Sequence, residues 1–226
     1  MENKSLNDTA LNQRQSRSEA TQDALMHAAI LLIAENGLEN ISILSIIEAA
    51  GQKNESALQY HFKNRDGLIN AIHQRHSRKV DQHRQLIFAA FNKTKKPQLI
   101  DVATLMVGPA FELAKLDPDY RLYVKAFGRE VAFSEIPALQ FLNQSIKTNS
   151  NVSQFIRQSL SDLSKDAIKA RLDSAVRFSS MSMSLHARSK NAFKGKNAEL
   201  FYSRLKDSLV GILGAKESAA TKAWGS

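Results

Sequence analysis

The chain has 226 residues, 43% of them hydrophobic, enough to bury one large core or two smaller ones. It contains no cysteine, which excludes disulfides, thiolate catalysis and cysteine-bound zinc and fits a reducing compartment. The formal net charge of +9 favours a polyanionic partner; no apolar run approaches the ~18 residues of a membrane span and no apolar leader opens the chain, so a cytoplasmic protein with no membrane partner is expected.

Residues 1–15 are polar and aperiodic and read as a disordered tail. A first helix is predicted from Ser16, whose side chain forms a capping box with Glu19; it carries Leu25, Met26, Ala29, Ile30, Leu32 and Ile33 and stops at Asn36-Gly37. Ser42 caps a second helix with Ile43, Ile46, Ile47 and Ala50 inward, and Gly51 suits a left-handed residue just past its end. Asn54 caps a third helix. There Ala57, Leu58 and Phe62 supply an apolar side while Ser56, Gln59, Tyr60 and Lys63 point hydrogen-bonding groups elsewhere. Two short helices joined at a glycine, the second polar and aromatic on its outer face, make the pattern of a DNA-reading helix-turn-helix. Asn64 then caps a long fourth helix carrying Leu68, Ile69, Ile72, Leu86, Ile87 and Phe91. From Lys53 to Arg84 seven basic residues stand against three acidic ones, so part of the positive charge gathers around the reader.

Beyond Lys95-Lys96-Pro97 the pattern stays helical. Leu99, Ala103, Met106, Val107, Ala110, Phe111 and Ala114 share one stripe, with Pro109 as a predicted kink. Asp117-Pro118 reads as an N-cap followed by proline at the first helical position, and Tyr120, Tyr123 and Phe127 follow at spacings of three and four. After a break at 147–151 come helices holding Phe155, Ile156 and Leu160, then Ile168, Leu172, Ala175 and Phe178, and last Phe201, Leu205, Leu209 and Ile212. Ser180-Met181-Ser182-Met183-Ser184 alternates with period two, a weaker helical signal. The fold class is all-α.

Residues from about 17 to 69 resemble the DNA-binding domain of the TetR family of transcriptional regulators. The resemblance rests on Ala28-Ala29, Glu35-Asn36-Gly37, Ala50-Gly51, Tyr60-His61-Phe62 and Arg65-Asp66-Gly67-Leu68. One extra residue between Gly51 and the Tyr-His-Phe run departs from the usual pattern and leaves the register of Gln52 to Glu55 open. The resemblance implies a DNA-binding domain at 16–69 and an effector-binding and dimerisation domain at 70–226. The protein would then be a homodimer on palindromic double-stranded DNA, a repressor released by a small apolar or amphipathic effector, with no cofactor implied.

Within that reading Gln59 can pair with adenine and Ser56 can serve base or phosphate, while Lys53, Tyr60, Lys63 and Arg65 suit the DNA backbone. Glu55 either accepts from cytosine or acts as a first-turn carboxylate, and His61 either contacts the backbone or packs against the fourth helix. Met106, Phe111, Phe127, Phe133, Phe141, Phe155, Phe178, Met181 and Met183 are candidates for an effector pocket, although the same residue types at helical spacing build cores. Phe201, Leu205, Leu209, Gly211 and Ile212 are candidates for the dimer helix, with an intramolecular core helix as the alternative. His73, His76 and His83 lie along one helix, but no carboxylate completes a metal set, and no metal is expected. Neither a phosphate-binding glycine loop nor a serine elbow occurs, so an enzyme is not expected. A DNA binder without an effector is the main alternative.

Overall fold

With no glycine or proline ahead of Gly37, nothing in the backbone chemistry stops the first helix from extending toward the N-terminus. The computed structural model describes residues 2–91, 98–133 and 150–224, and its first helix, α1, spans Glu2–Asn36. The helix thus begins ahead of the start expected at Ser16. Ser-x-x-Glu is a capping signal only where a helix begins, and here it lies inside one.

The chain divides into two compact units, Met1–His76 and Ser77–Ser226. In the first, α1 is followed by a 3-10 turn at Leu38–Asn40, α2 (Ile43–Ala49), α3 (Ser56–Phe62) and α4 (Arg65–Ala90), the unit boundary falling inside α4. Leu25, Ile30 and Ile33 of α1, Ile46 of α2, Leu58 of α3 and Leu68 and Ile72 of α4 are fully buried and form this unit's core.

The second unit contains α5 (Leu99–Leu116), α6 (Pro118–Phe133), α7 (Ser150–Ser159), α8 (Lys165–Ala187), α9 (Gly195–Gly214) and α10 (Ala219–Trp224). All described regular elements are helical. Asp117 caps α6 as expected from the sequence, its Oδ1 accepting from the amides of Asp119 and Tyr120 at 2.9 and 3.2 Å. The alternating serines and methionines lie within α8; there Ser184 packs against Gly128 of α6, where the two helices approach closely. No helix among the described residues is long and apolar enough to cross a membrane.

Pro109 lies inside α5 and is buried. It lacks an N–H, so the carbonyl four residues earlier, that of Leu105, has no helical donor. Arg84 of α4 supplies one: it is buried, its Nε–H donates to the Leu105 oxygen at 3.2 Å, and its Nη1 pairs with Asp81. Burial pulls the guanidinium's pKa down, and Asp81 opposes that shift. Sequence and core are linked here by one side chain replacing one backbone donor.

This packing makes two testable demands. Arg84→Leu should destabilise the protein by roughly 1–3 kcal/mol or more, because it leaves a buried carbonyl and Asp81 unpaired. Pro109→Ala should then recover part of that loss, since alanine returns a helical donor to Leu105; additive effects in a urea-denaturation double-mutant cycle would contradict the link. The second concerns pH. Burial lowers the pKa of His73 from 6.5 to about 4, so below 6.5 the unfolded chain binds a proton that the folded chain refuses. Stability is therefore expected to fall as pH drops from 6.5 toward 4, and less steeply in His73→Leu. Identical melting-temperature profiles for the two proteins would remove His73 from the account.

Candidate nucleic-acid interface

Helix α2 is closed at both ends by local chemistry. Ser42 and Ser45 form a capping box, with Ser45 N–H donating to Ser42 Oγ at 3.0 Å and Ser42 N–H to Ser45 Oγ at 3.1 Å. At the other end Gly51 has φ +65° and its N–H donates to Glu48 O at 3.0 Å, while Gln52 N–H donates to Ile47 O at 2.9 Å. That pair of bonds is a Schellman motif, and it needs a left-handed residue at position 51. A Cβ at Gly51 would meet nothing within 4 Å, so the requirement is set by φ and not by space.

The turn from Gly51 to Glu55 leads into α3 at Ser56. Asn54 does cap α3, but from one residue before the backbone N-cap: its Oδ1 accepts from Ser56 N–H at 3.1 Å, whereas Glu55 is the N-cap and its side chain makes no cap bond. Helix α3 is only seven residues long. Leu58 and Phe62 are buried and anchor it; Lys53, Glu55, Ser56, Gln59, Tyr60 and Lys63 are exposed, Tyr60 at 80%. The polar candidates therefore share the outer side of one element and its flanking turns.

His61 and Arg65 sit differently. Gln22 Nε2 of α1 donates to His61 Nδ1 at 3.1 Å, which leaves the proton of a neutral ring on Nε2. Its hydrogen-bond partner thus lies on α1. Arg65 donates through Nη2 to the carbonyl of Leu38, and its Nε is buried. Its sequence position suits a cation on the DNA backbone; in the fold it is a clamp on the 3-10 turn. Further cations of the segment are also engaged: Arg75 with Asp23 at 2.7 Å, Lys79 with Asp117 at 2.7 Å, and Arg84 with Asp81. Lys53 and Lys63 are the cations flanking α3 that stay exposed.

The elbow from α3 to α4 combines a cap expected from the sequence, Asn64, with a strained turn at Lys63 that sequence reading missed. Lys63 has φ 69° and ψ −49°, and Asn64 N–H donates to Phe62 O at 2.8 Å, a γ-turn in a strained region for a non-glycine residue. Asn64 then caps α4, its Oδ1 accepting from Gly67 N–H at 2.8 Å. A Cβ on Gly67 would overlap the Phe62 carbonyl oxygen, so only glycine fits. The Asn-x-x-Gly text was the available signal.

Of the effector candidates, Met106, Phe111 and Met183 belong to one buried cluster of the second unit, with Phe155 packed against it. Phe111 and Phe127 are fully buried and Met106 nearly so, within the second unit; Phe111 stacks on Tyr202 with centroids 4.3 Å apart. Phe155 and Met181 are half-buried, Met183 is buried, Phe133 and Phe178 are exposed at 72% and 40%, and Phe141 lies outside the described residues. Of the dimer candidates, Leu205 and Leu209 face the protein's own core, because the apolar stripe of α9 packs on α5 and α8. Phe201 and Ile212 are half-buried and Gly211 is exposed. His76 is buried and His73 and His83 are half-buried; among the described residues no group of three or more His, Cys, Asp or Glu is placed to hold a metal ion.

No protein-family model matches the sequence, and no curated protein matches it. Among solved structures, the chain is similar to a Rhodococcus sp. protein designated a TetR-family transcriptional regulator. That match has a TM-score of 0.52 and 15% identity over 85% of this chain and 98% of that one. Salmonella enterica GusR aligns with a TM-score of 0.49 and 18% identity over 86% of this chain and 96% of its own. The chain has the TetR-family fold.

The TetR-like first unit separates two kinds of residue that substitution can tell apart. Arg65→Ala should lower the melting temperature and leave the salt dependence of DNA binding unchanged, since its guanidinium is bound to Leu38. Lys63→Ala should reduce the magnitude of that salt slope by roughly 0.9, the value of one neutralised phosphate. Gln59→Ala should leave the melting temperature unchanged and relax preference at one base pair by ~1–3 kcal/mol. A slope change for Arg65→Ala without loss of stability would reverse its assignment.

Proposed function

We propose that the protein is a sequence-specific DNA-binding regulator of transcription, non-catalytic and cytoplasmic, acting as a homodimer on palindromic DNA. The observation that carries the reading is the outer side of α3: Ser56, Gln59 and Tyr60 are exposed on a helix whose opposite side, Leu58 and Phe62, is buried. Side chains with those groups match base edges and phosphates in the major groove. Dimerisation is supported by Gly211. It lies exposed inside α9, where glycine costs ~1 kcal/mol relative to alanine, and no described atom of the chain's own fold would meet a Cβ there within 4 Å. Close approach by a second copy accounts for it.

The regulatory half of the reading is a repressor that leaves its operator when a small apolar or amphipathic effector binds the second unit. A DNA binder without an effector is the second reading, favoured by the burial of Met106, Phe111 and Phe127 in the core.

Selection from a random duplex library is expected to return a palindrome with half-sites about one helical turn, ~34 Å, apart or a multiple of it. Equal affinity for unrelated sequences would replace the regulator with an architectural binder. For a ligand that weakens operator binding 100-fold, the coupling is about 2.7 kcal/mol, and operator must weaken ligand binding by the same factor. Equal ligand affinity with and without saturating operator would favour the effector-free reading.

A further inference from the structure

The inward stripe of α1 is apolar at Leu25, Met26, Ala29 and Ile33, all buried. One turn earlier on the same face stands Gln22, half-buried. An apolar side chain there would continue the packing, whereas a partly buried amide is costly unless it is hydrogen-bonded. Gln22 has such a bond. Its Nε2 donates to His61 Nδ1 at 3.1 Å, from α1 to the last turn of α3 across 39 residues of sequence.

His61 is half-buried between exposed Tyr60 and buried Phe62. Its ring meets that of Tyr60 edge to face, centroids 4.9 Å apart and planes 81° apart. A neutral imidazole has one donor and one acceptor nitrogen, and which is which depends on its surroundings. The NH2 group of Gln22 can only donate, so Nδ1 accepts and Nε2 carries the proton. No described residue accepts from that Nε2–H. The ring is therefore a donor with its tautomer set by α1 and its plane restricted by Tyr60, and its donating atom is left for an acceptor outside the fold.

We propose that Gln22 is a positioning residue of the DNA interface: it holds His61 in the Nε2–H tautomer, and that N–H donates to a backbone phosphate. The assignment rests on the DNA-binding reading of α3. A phosphate oxygen only accepts, so the opposite tautomer, with a lone pair on Nε2, would lose the bond. Base edges suit the fully exposed Ser56 and Gln59 better than a half-buried ring beside Phe62. Because the donor is uncharged, it adds affinity for every sequence without neutralising a phosphate, which separates it from Lys63. Gln22 acts through His61. A purely structural Gln22 would do no more than close α1 against α3.

The test is a double-mutant cycle in DNA binding, on the full chain, with the selected palindromic duplex and its single-base variants at about pH 8, where an ordinary imidazole is neutral. Gln22→Leu is expected to weaken binding about tenfold or more, equally on every duplex, with the salt slope and melting temperature retained. His61→Phe should lose as much. The double variant should lose no more than either, because both remove one contact. In the free protein, nitrogen-15 spectra of the imidazole should show Nδ1 unprotonated and Nε2 protonated, and Gln22→Leu should shift both toward a mixture of tautomers. Unchanged affinity in Gln22→Leu, additive losses in the double variant, or a proton on Nδ1 in the wild type would overturn the assignment. So would losses in Gln22→Leu and Gln22→Met that follow their melting temperatures, which would make Gln22 structural alone. Those outcomes leave the DNA-binding reading standing; a wild-type protein that binds no duplex removes both.

Discussion

A seven-residue helix has no independent stability in water, since helices shorter than ~12–15 residues are marginal even with favourable composition. Helix α3 therefore depends on how its two ends are closed. On one side the Schellman turn at Gly51 and the Asn54 cap deliver the chain at a set angle. On the other, the strained turn at Lys63, the Asn64 cap and the side-chain-free surface of Gly67 bring α4 directly against the carbonyl of Phe62. Between these ends Leu58 and Phe62 anchor the helix in the core. Strain of order 1–3 kcal/mol at a residue such as Lys63 persists only because the neighbouring caps and burial over-determine the backbone. The consequence is rigidity. Ser56, Gln59 and Tyr60 stand on a surface whose orientation is fixed before any partner arrives.

Charge in this protein has two distinct uses. The segment from Lys53 to Arg84 is rich in cations, yet Arg65 clamps Leu38, Arg75 meets Asp23, Lys79 meets Asp117 and Arg84 serves Leu105 and Asp81. On the proposed reading, the electrostatic contribution to DNA affinity falls to fewer residues than the formal charge suggests, with Lys53 and Lys63 flanking α3. Cations with a partner inside the fold contribute to stability; cations left facing outward are available for recognition.

Much of the fold is legible in the sequence because it depends on local chemistry. The Ser42 cap, the left-handed Gly51, the Asn64 cap and the Asp117-Pro118 start are each set by a few adjacent residues, and buried Ile46, Leu58, Leu68 and Ile72 follow from periodicity. The first helix extends past its expected start because a capping box is a sufficient signal only at a true terminus. The roles of Arg65 and Arg84 are hidden in the sequence because their acceptors, Leu38 and Leu105, lie 27 and 21 residues away. Leu205 and Leu209 are ambiguous for a similar reason: an apolar stripe has the same spacing whether it meets its own core or a second chain. The effector candidates show the same limit, since pocket and core draw on one set of residue types.

The central claim is that α3, held at both ends, enters the major groove of a DNA half-site. Since the chain has no cysteine, Tyr60→Cys provides a single attachment point for an iron chelate that cleaves nearby DNA by hydroxyl radical. On a selected palindromic duplex, cleavage is expected at two symmetric positions whose centres lie about one helical turn, ~34 Å, or a multiple of it apart. Uniform cleavage along the duplex, or none above the unlabelled control, would contradict the account.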